Sequence, residues 1–244
     1  VALERPIRVL VIDDSPSNRR AITALLESAP GLEVVDRAAD GEEGLKKAIA
    51  LRPDCITLDL EMPRLDGFSL LRLLQARAPT PVIVLSSYGH PADVFKALQL
   101  GALDFVAKPA GNDAGALESV RAELIEKVRA APLARRGPGY RVTDPLRTPH
   151  VPVRAAPRSS GGPAPLHGTA VVAIGASTGG PPAVQEVLEA LGGLPVSVLV
   201  AQHMPSRFTE AFAQRLDGVL SFRVKEARDG EPVVPGRVYI APGG

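Results

Sequence analysis

The chain reads as an α/β protein built on two parallel sheets, and three observations point there. Short aliphatic runs alternate with amphipathic stretches of helical spacing through residues 1–130, the pattern of a parallel sheet with helical crossovers. The runs are continuous rather than alternating, which suits strands buried on both faces. The same alternation resumes at residue 167, after a proline-rich interruption.

In order, IRVLVI (7–12), EVVDRA (33–38), CITLDL (55–60), PVIVLS (81–86) and DFVAK (104–108) are the expected strands. Helical spacing fills the intervals, as at Ile22, Leu25 and Leu26, and again at Leu70, Leu71, Leu73 and Leu74. Five strands and five helices are expected before residue 131. Residues 131–166 then hold eight prolines, four glycines and six arginines against one acid, Asp144, for a net charge of +5. A basic, non-periodic stretch of this kind buries too little apolar surface to offset ordering, so a semi-extended linker is expected. From 167 onward the expected order is strand TAVVAIGA (169–176), helix 180–191, strand VSVLVAQ (196–202) and helix 206–216. Two short strands follow near 221–225 and 237–240. The expected organisation is therefore a first domain over 1–130, a linker over 131–166 and a second domain over 167–244.

Composition excludes several classes. Lys+Arg is 28 against 27 Asp+Glu, and the net charge of +1 gives no sign of a nucleic-acid partner. No apolar run reaches the roughly 18 residues a spanning helix needs, so membrane insertion is not expected. The single cysteine, Cys55, allows no intrachain disulfide and no cysteine-cluster metal site. Its place inside an aliphatic strand marks it as a small buried apolar residue rather than a reactive thiol. A soluble, cytoplasmic protein is expected. With no Trp, three Tyr and six Phe, the core must be largely aliphatic.

In a parallel sheet the functional crevice lies beyond the carboxyl ends of the strands. Here the first strand ends in Asp13-Asp14, the third in Asp59, the fourth in Ser86 and the fifth in Lys108-Pro109. Three carboxylates brought together repel one another and favour a hard divalent cation, most simply Mg²⁺. The lysine offsets the remaining charge and can receive an anion, and the serine can donate to an anion oxygen. Together they supply what phosphoryl transfer to a carboxylate requires: a nucleophile, a metal and cationic stabilisation. Any one of these residues alone would read as a turn pair or a strand-end polar group.

This spacing, with the segment DLEMPRLDG (59–67), resembles the receiver domain of two-component response regulators, a flavodoxin-like five-stranded parallel sheet. The resemblance implies that Asp59 is the phosphoacceptor and that Asp13, Asp14, Asp59 and the backbone carbonyl of Glu61 hold Mg²⁺. It also implies that Ser86 and Lys108 contact the phosphoryl group and that Phe105 is an aromatic switch. A cis Lys108-Pro109 bond is implied as well.

In the second domain the strand AVVAIG runs into GASTGG (175–180) and then Pro181-Pro182. G-x-S-x-G between a strand and a helix is the setting of a nucleophile elbow. Ser177 would project from a sharp turn, with helix N–H groups behind it to meet a developing oxyanion. His203, just past the next strand in VLVAQHMP, should emerge at the same sheet edge as its base. The competing reading of GASTGG, a phosphate-binding loop, lacks the P-loop lysine and the G-x-G-x-x-G spacing.

A receiver, a Pro-rich linker, VAIGASTGGP, AQHMPSRFTEAFAQRL and EPVVPGRVYIAPGG together resemble the chemotaxis protein-glutamate methylesterases, the CheB family. The second domain would then be the first part of a doubly wound α/β esterase. The resemblance implies phosphorylation-controlled hydrolysis of glutamate methyl esters, and deamidation of glutamines, on chemoreceptors. A histidine kinase would be the phosphodonor, and the esterase domain would need no cofactor. Ser177 and His203 would be catalytic. The acid that completes the family's triad has no counterpart in this chain, and Asp217 and Asp229 lie in the wrong context. A C-terminally incomplete member is therefore expected, which leaves open an alternative: a receiver with an inert output domain that acts by binding or as a phosphate sink.

Overall fold

The computed structural model describes residues 5–87, 91–108, 120–136, 170–192 and 194–243. The chain divides into two compact units, Val1–Arg147 and Thr148–Gly244.

In the first unit, strands and helices alternate: β1 (Ile7–Ile12), α1 (Pro16–Glu27), β2 (Leu32–Ala38), α2 (Gly41–Leu51) and β3 (Cys55–Asp59). Then come α3 (Gly67–Arg77), β4 (Val82–Ser87), α4 (Pro91–Gln99), β5 (Asp104–Lys108) and α5 (Arg121–Arg136). The strands form one sheet in the order β2-β1-β3-β4-β5, every pair parallel. All five expected strands are present, with bounds within one residue.

The sheet is buried on both faces, as the continuous aliphatic runs require. Val9, Val11, Cys55, Ile83, Leu85 and Val106 pack with Ile22, Leu25 and Leu26 of α1 and with Leu124 and Val128 of α5. Leu10, Ile12, Ile56 and Leu58, which point the other way, are equally buried, as are Leu70, Leu71 and Leu74 of α3. Each such side chain contributes about 1.5–3 kcal/mol of burial. Helix starts are set by short polar caps: Ser15, Asp40 and Asp66 accept backbone N–H groups at the starts of α1, α2 and α3.

Helix α5 runs on to Arg136, past residue 131, where the composition suggests a linker. Pro132 gives up a helical hydrogen bond there, but Ala131 is fully buried in the core and Ala134 packs against it. Local packing thus outweighs the composition of that turn. Residues 137–166 of the expected linker and the Lys108-Pro109 bond lie outside the described residues.

In the second unit, β6 (Val171–Ala176), α6 (Gly180–Ala190), β7 (Ser197–Gln202), α7 (Ser206–Val219), β8 (Arg223–Glu226) and β9 (Arg237–Ile240) follow in order. The sheet order is β6-β7-β9-β8, again parallel throughout. Its core joins Val198, Val200, Val224, Val238 and Ile240 to Val184 and Leu188 of α6 and to Phe208, Phe212 and Leu216 of α7. The opposite face of β6 and β7 is open: Val171 is 54% exposed and Leu199 37%. The aliphatic runs of this unit are therefore not the both-sides-covered kind found in the first.

Candidate functional site

Two clusters form at carboxyl edges of sheets, one in each unit. In the first, parallel pairing matches Ile12 with Leu58. The next residues along, Asp13 and Asp59, therefore leave adjacent strands together. Carboxylate oxygens of Asp13, Asp14 and Asp59 lie within 4.8 Å of one another. Lys108, at the end of β5, reaches across to them, its Nζ 2.9 Å from Asp13 Oδ2 and 2.9 Å from Asp59 Oδ2. Asp13 is fully buried, Asp59 and Lys108 nearly so, and Asp14 is exposed. Ser86 is buried near the end of β4, the strand between β3 and β5.

Backbone contacts hold the carboxylates in place. Asp13 Oδ1 accepts the Ser15 N–H at 2.9 Å, and Arg19 donates to the carbonyls of Asp13 and Asp14 at 2.6 and 2.8 Å. The Glu61 N–H lies 3.4 Å from Asp59 Oδ1. The loop that follows is tied down by Arg64, which takes a left-handed φ of 66° and bonds Asp40. It ends in a close approach: a Cβ on Gly67 would stand 2.6 Å from the Asp59 carbonyl and 2.7 Å from Leu60 Cα.

Burial pushes the Asp59 carboxyl above its ordinary range. The Lys108 ammonium pulls it back, and the Asp13 carboxylate adds to the push. Burial alone would lower Lys108, but Asp59 and Asp13 together outweigh it and hold the ammonium above its ordinary value. Three oxygen donors at this spacing, one of them exposed to solvent, are a hard donor set suited to a divalent cation.

Phe105 is 1% exposed, with its ring 5.0 Å from Lys127 Nζ. That lysine is itself buried and pairs with Asp104 at 3.0 Å and Glu123 at 2.8 Å. The pair escapes motif reasoning, although an aspartate inside the buried run DFVAK is a signal that a cation must face it. Cys55 is fully buried, and burial pushes its thiol up to about 12, as expected of a core residue.

In the second cluster, Ala176 pairs with Gln202, so Ser177 and His203 leave β6 and β7 side by side. The His203 N–H donates to the Ala176 carbonyl at 2.8 Å. Ser177 Oγ stands 3.4 Å from His203 Nδ1, and both side chains are exposed. Two glycines make the turn. Gly179 takes a left-handed φ of 74°, where a side chain would be strained. At Gly180 a Cβ would fall 2.0 Å from Gln202 Oε1. Gly175, the first glycine of G-x-S-x-G, has open space around it. Helix α6 follows at once, with proline in its first turn and no side-chain cap. Among the described residues no carboxylate hydrogen-bonds His203. Asp217 instead accepts the Val224 N–H at 2.8 Å and stands 3.9 Å from Arg223, at the start of β8.

Comparison with known proteins follows this division. The response regulator receiver domain family matches residues 9–118, and the CheB methylesterase family matches residues 172–244. The isolated response regulator domain of Thermotoga maritima CheB superposes with a TM-score of 0.51 at 45% identity, over 53% of this chain and 98% of that one. Fold and matches define a response regulator that carries an esterase-type output unit. A protein-glutamate methylesterase/protein-glutamine glutaminase of Myxococcus xanthus is 59% identical over 98% of this chain and 65% of its own length. One from Geobacter sulfurreducens is 48% identical over 98% of this chain and 68% of its own. The chain belongs to the CheB family of protein-glutamate methylesterase/protein-glutamine glutaminases. It spans about two thirds of the length of the curated relatives it matches. Among the described residues no helix is long and apolar enough to cross a membrane.

Proposed function

We propose that the chain is a cytoplasmic response regulator in which phosphorylation of Asp59 controls a serine esterase built on Ser177 and His203. The single observation that carries the enzymatic reading is the Ser177 Oγ–His203 Nδ1 approach of 3.4 Å at paired strand ends, directly before a helix N-terminus. The substrates would be glutamate methyl esters, and some glutamine amides, on chemoreceptors. Ser177 Oγ attacks the ester carbonyl while His203 takes its proton. The proton then passes to the departing methoxide, giving methanol and an acyl-serine. Water, deprotonated by His203, attacks that acyl group, leaving a free glutamate and restoring Ser177. N–H groups at the start of α6 face the carbonyl oxygen as charge develops on it.

In the first unit, Asp59 Oδ receives the phosphoryl group from a histidine kinase, and Lys108 and Ser86 contact the phosphoryl oxygens. The acidic cluster fits Mg²⁺, which Asp13, Asp14, Asp59 and the Glu61 carbonyl would hold. When bound, it would neutralise charge on the incoming phosphoryl group. Phe105 would change packing with phosphorylation. The working division is a receiver, a linker and an esterase unit over 167–244, with residues 131–136 belonging to helix α5 of the receiver rather than to the linker.

The test is hydrolysis of a methyl-esterified receptor segment by this chain, with and without a small-molecule phosphodonor. Ser177→Ala should abolish turnover, and Asp59→Asn should abolish the response to phosphodonor. Turnover that survives Ser177→Ala would overturn the esterase assignment. Phosphodonor consumption at Asp59 with no ester hydrolysis would instead support a receiver with an inert output unit.

A further inference from the structure

We propose that Gln202 is a positioning residue for the Ser177–His203 pair. Its side-chain amide ties the backbone of the nucleophile turn to the backbone of the base. The proposal rests on the reading of Ser177 as nucleophile and His203 as base.

Gln202 ends β7 and is 5% exposed. Its Nε2 donates to the Ser177 carbonyl at 3.0 Å and to the His203 carbonyl at 3.2 Å. An amide nitrogen carries two N–H groups, and both are spent on the two residues the chemistry needs aligned. The Ser177 carbonyl also accepts the Gly180 N–H at 2.8 Å, so Gln202 and the first turn of α6 share one anchor. Reversing the amide would set Oε1 against two carbonyl oxygens, so the orientation is determined by its surroundings.

The other end of the amide is unusual. Oε1 is buried and has no hydrogen-bond partner among the described residues, a costly state for an amide oxygen. It fills the space that Gly180 leaves open, 2.0 Å from where a Cβ would sit. An apolar side chain of equal length would fill that space without the orphaned oxygen. What glutamine adds is the pair of N–H bonds to Ser177 and His203. Beside them, the His203 N–H bond to the Ala176 carbonyl links the two segments at this edge. Both reacting side chains are solvent-exposed, so their own packing does little to fix where they stand.

The experiment uses the whole chain and a fluorophosphonate ester, which phosphonylates an activated serine. Mass spectrometry reads modification at Ser177 and separates the maximal rate from the reagent's half-saturation. Gln202→Met keeps length and deletes the N–H donors. Gly180→Ala keeps the amide but displaces it. Each should lower the maximal rate 10–100-fold with half-saturation unchanged, as misplacement of a reacting group does. Amide hydrogen exchange at Gly180 and His203 should quicken, while Val198 and Val200 inside β7 keep their protection. A merely structural role would shift the urea midpoint and leave the maximal rate of the folded protein intact. That result overturns the proposal, as does unchanged exchange at Gly180 and His203. If wild type itself is not modified, the nucleophile reading fails and the proposal falls with it. A modified wild type with an equally reactive Gln202→Met sinks the proposal alone.

Discussion

Lys108→Met removes an ammonium that stands 2.9 Å from both Asp13 and Asp59, while keeping the apolar stem. Side-chain exposures are 11% for the lysine, 0% for Asp13 and 8% for Asp59, so solvent does little to replace the lost charge. Breaking a buried pair costs about 3–5 kcal/mol, and the lower end applies here because Asp59, already pushed up by burial, can take a proton instead. A deficit of about 3 kcal/mol is expected at pH 7 without divalent cation. Its pH dependence has a definite sign. Deleting the ammonium raises the Asp59 carboxyl further, and a group that binds its proton more tightly when folded loses stability as pH rises through its folded value. The deficit should therefore shrink as pH falls and Asp59 is protonated. Lys108 is held above its ordinary 10.5, so its contribution to wild type is present below that value and lost above it. The deficit should shrink on the alkaline side too. A divalent cation that binds only the folded state adds about 2.7 kcal/mol at a hundred times its Kd, and it should stabilise the variant more than wild type. The chain has no Trp and a single cysteine, so pulsed alkylation of Cys55 across a urea series reports unfolding of the first unit alone. Equal midpoints at pH 7, or a deficit that grows with acid, would refute the reasoning.

Native Cys55 should resist alkylation below pH 9. With its thiol pushed up to about 12 from 9.0, stability should fall by on the order of 4 kcal/mol between those pH values; rapid labelling of folded protein would contradict this. Gly67→Ala places a methyl group 2.6 Å from the Asp59 carbonyl. It should cost about 1–3 kcal/mol and slow phosphorylation of Asp59 by a small-molecule donor, read by intact mass; a wild-type rate would show that the loop yields freely. Lys127→Met should destabilise the first unit by about 3–5 kcal/mol by removing the ammonium that faces buried Asp104. Lys127→Met with Asp104→Leu should recover much of that loss in the same alkylation assay, and additive losses would mean the pair is not coupled.

Element order was legible because aliphatic runs in a parallel sheet need no partner to be recognised, and the first sheet buries them on both sides. The second sheet was less legible. The residues of TAVVAIGA and VSVLVAQ look no different from those of CITLDL, yet Val171 and Leu199 face solvent, since coverage depends on what packs opposite and not on the run itself. Helix α5 passes Pro132 because Ala131 is buried, a tertiary fact that composition hides. Site residues at strand ends could be found because parallel pairing brings them together one step past a matched register. Ile12 and Leu58 precede Asp13 and Asp59, and Ala176 and Gln202 precede Ser177 and His203. Lys127 and Gln202 were not found, because each acts through a partner that spacing cannot name.

The two clusters share that placement and differ in what controls them. Asp59 and Lys108 are buried beside Asp13, so their protonation is set by desolvation and by the charges around them, and a change of charge there must be felt through the surrounding packing. Ser177 and His203 are exposed, so burial cannot hold them; their separation depends on the backbone beneath. A buried acidic cluster calls for a counter-charge, which Lys108 supplies. An exposed pair calls for a brace, and the amide of Gln202 reaches both the Ser177 and the His203 carbonyl. The first unit should therefore answer chiefly to charge substitutions, and the second chiefly to substitutions that move the backbone without changing charge.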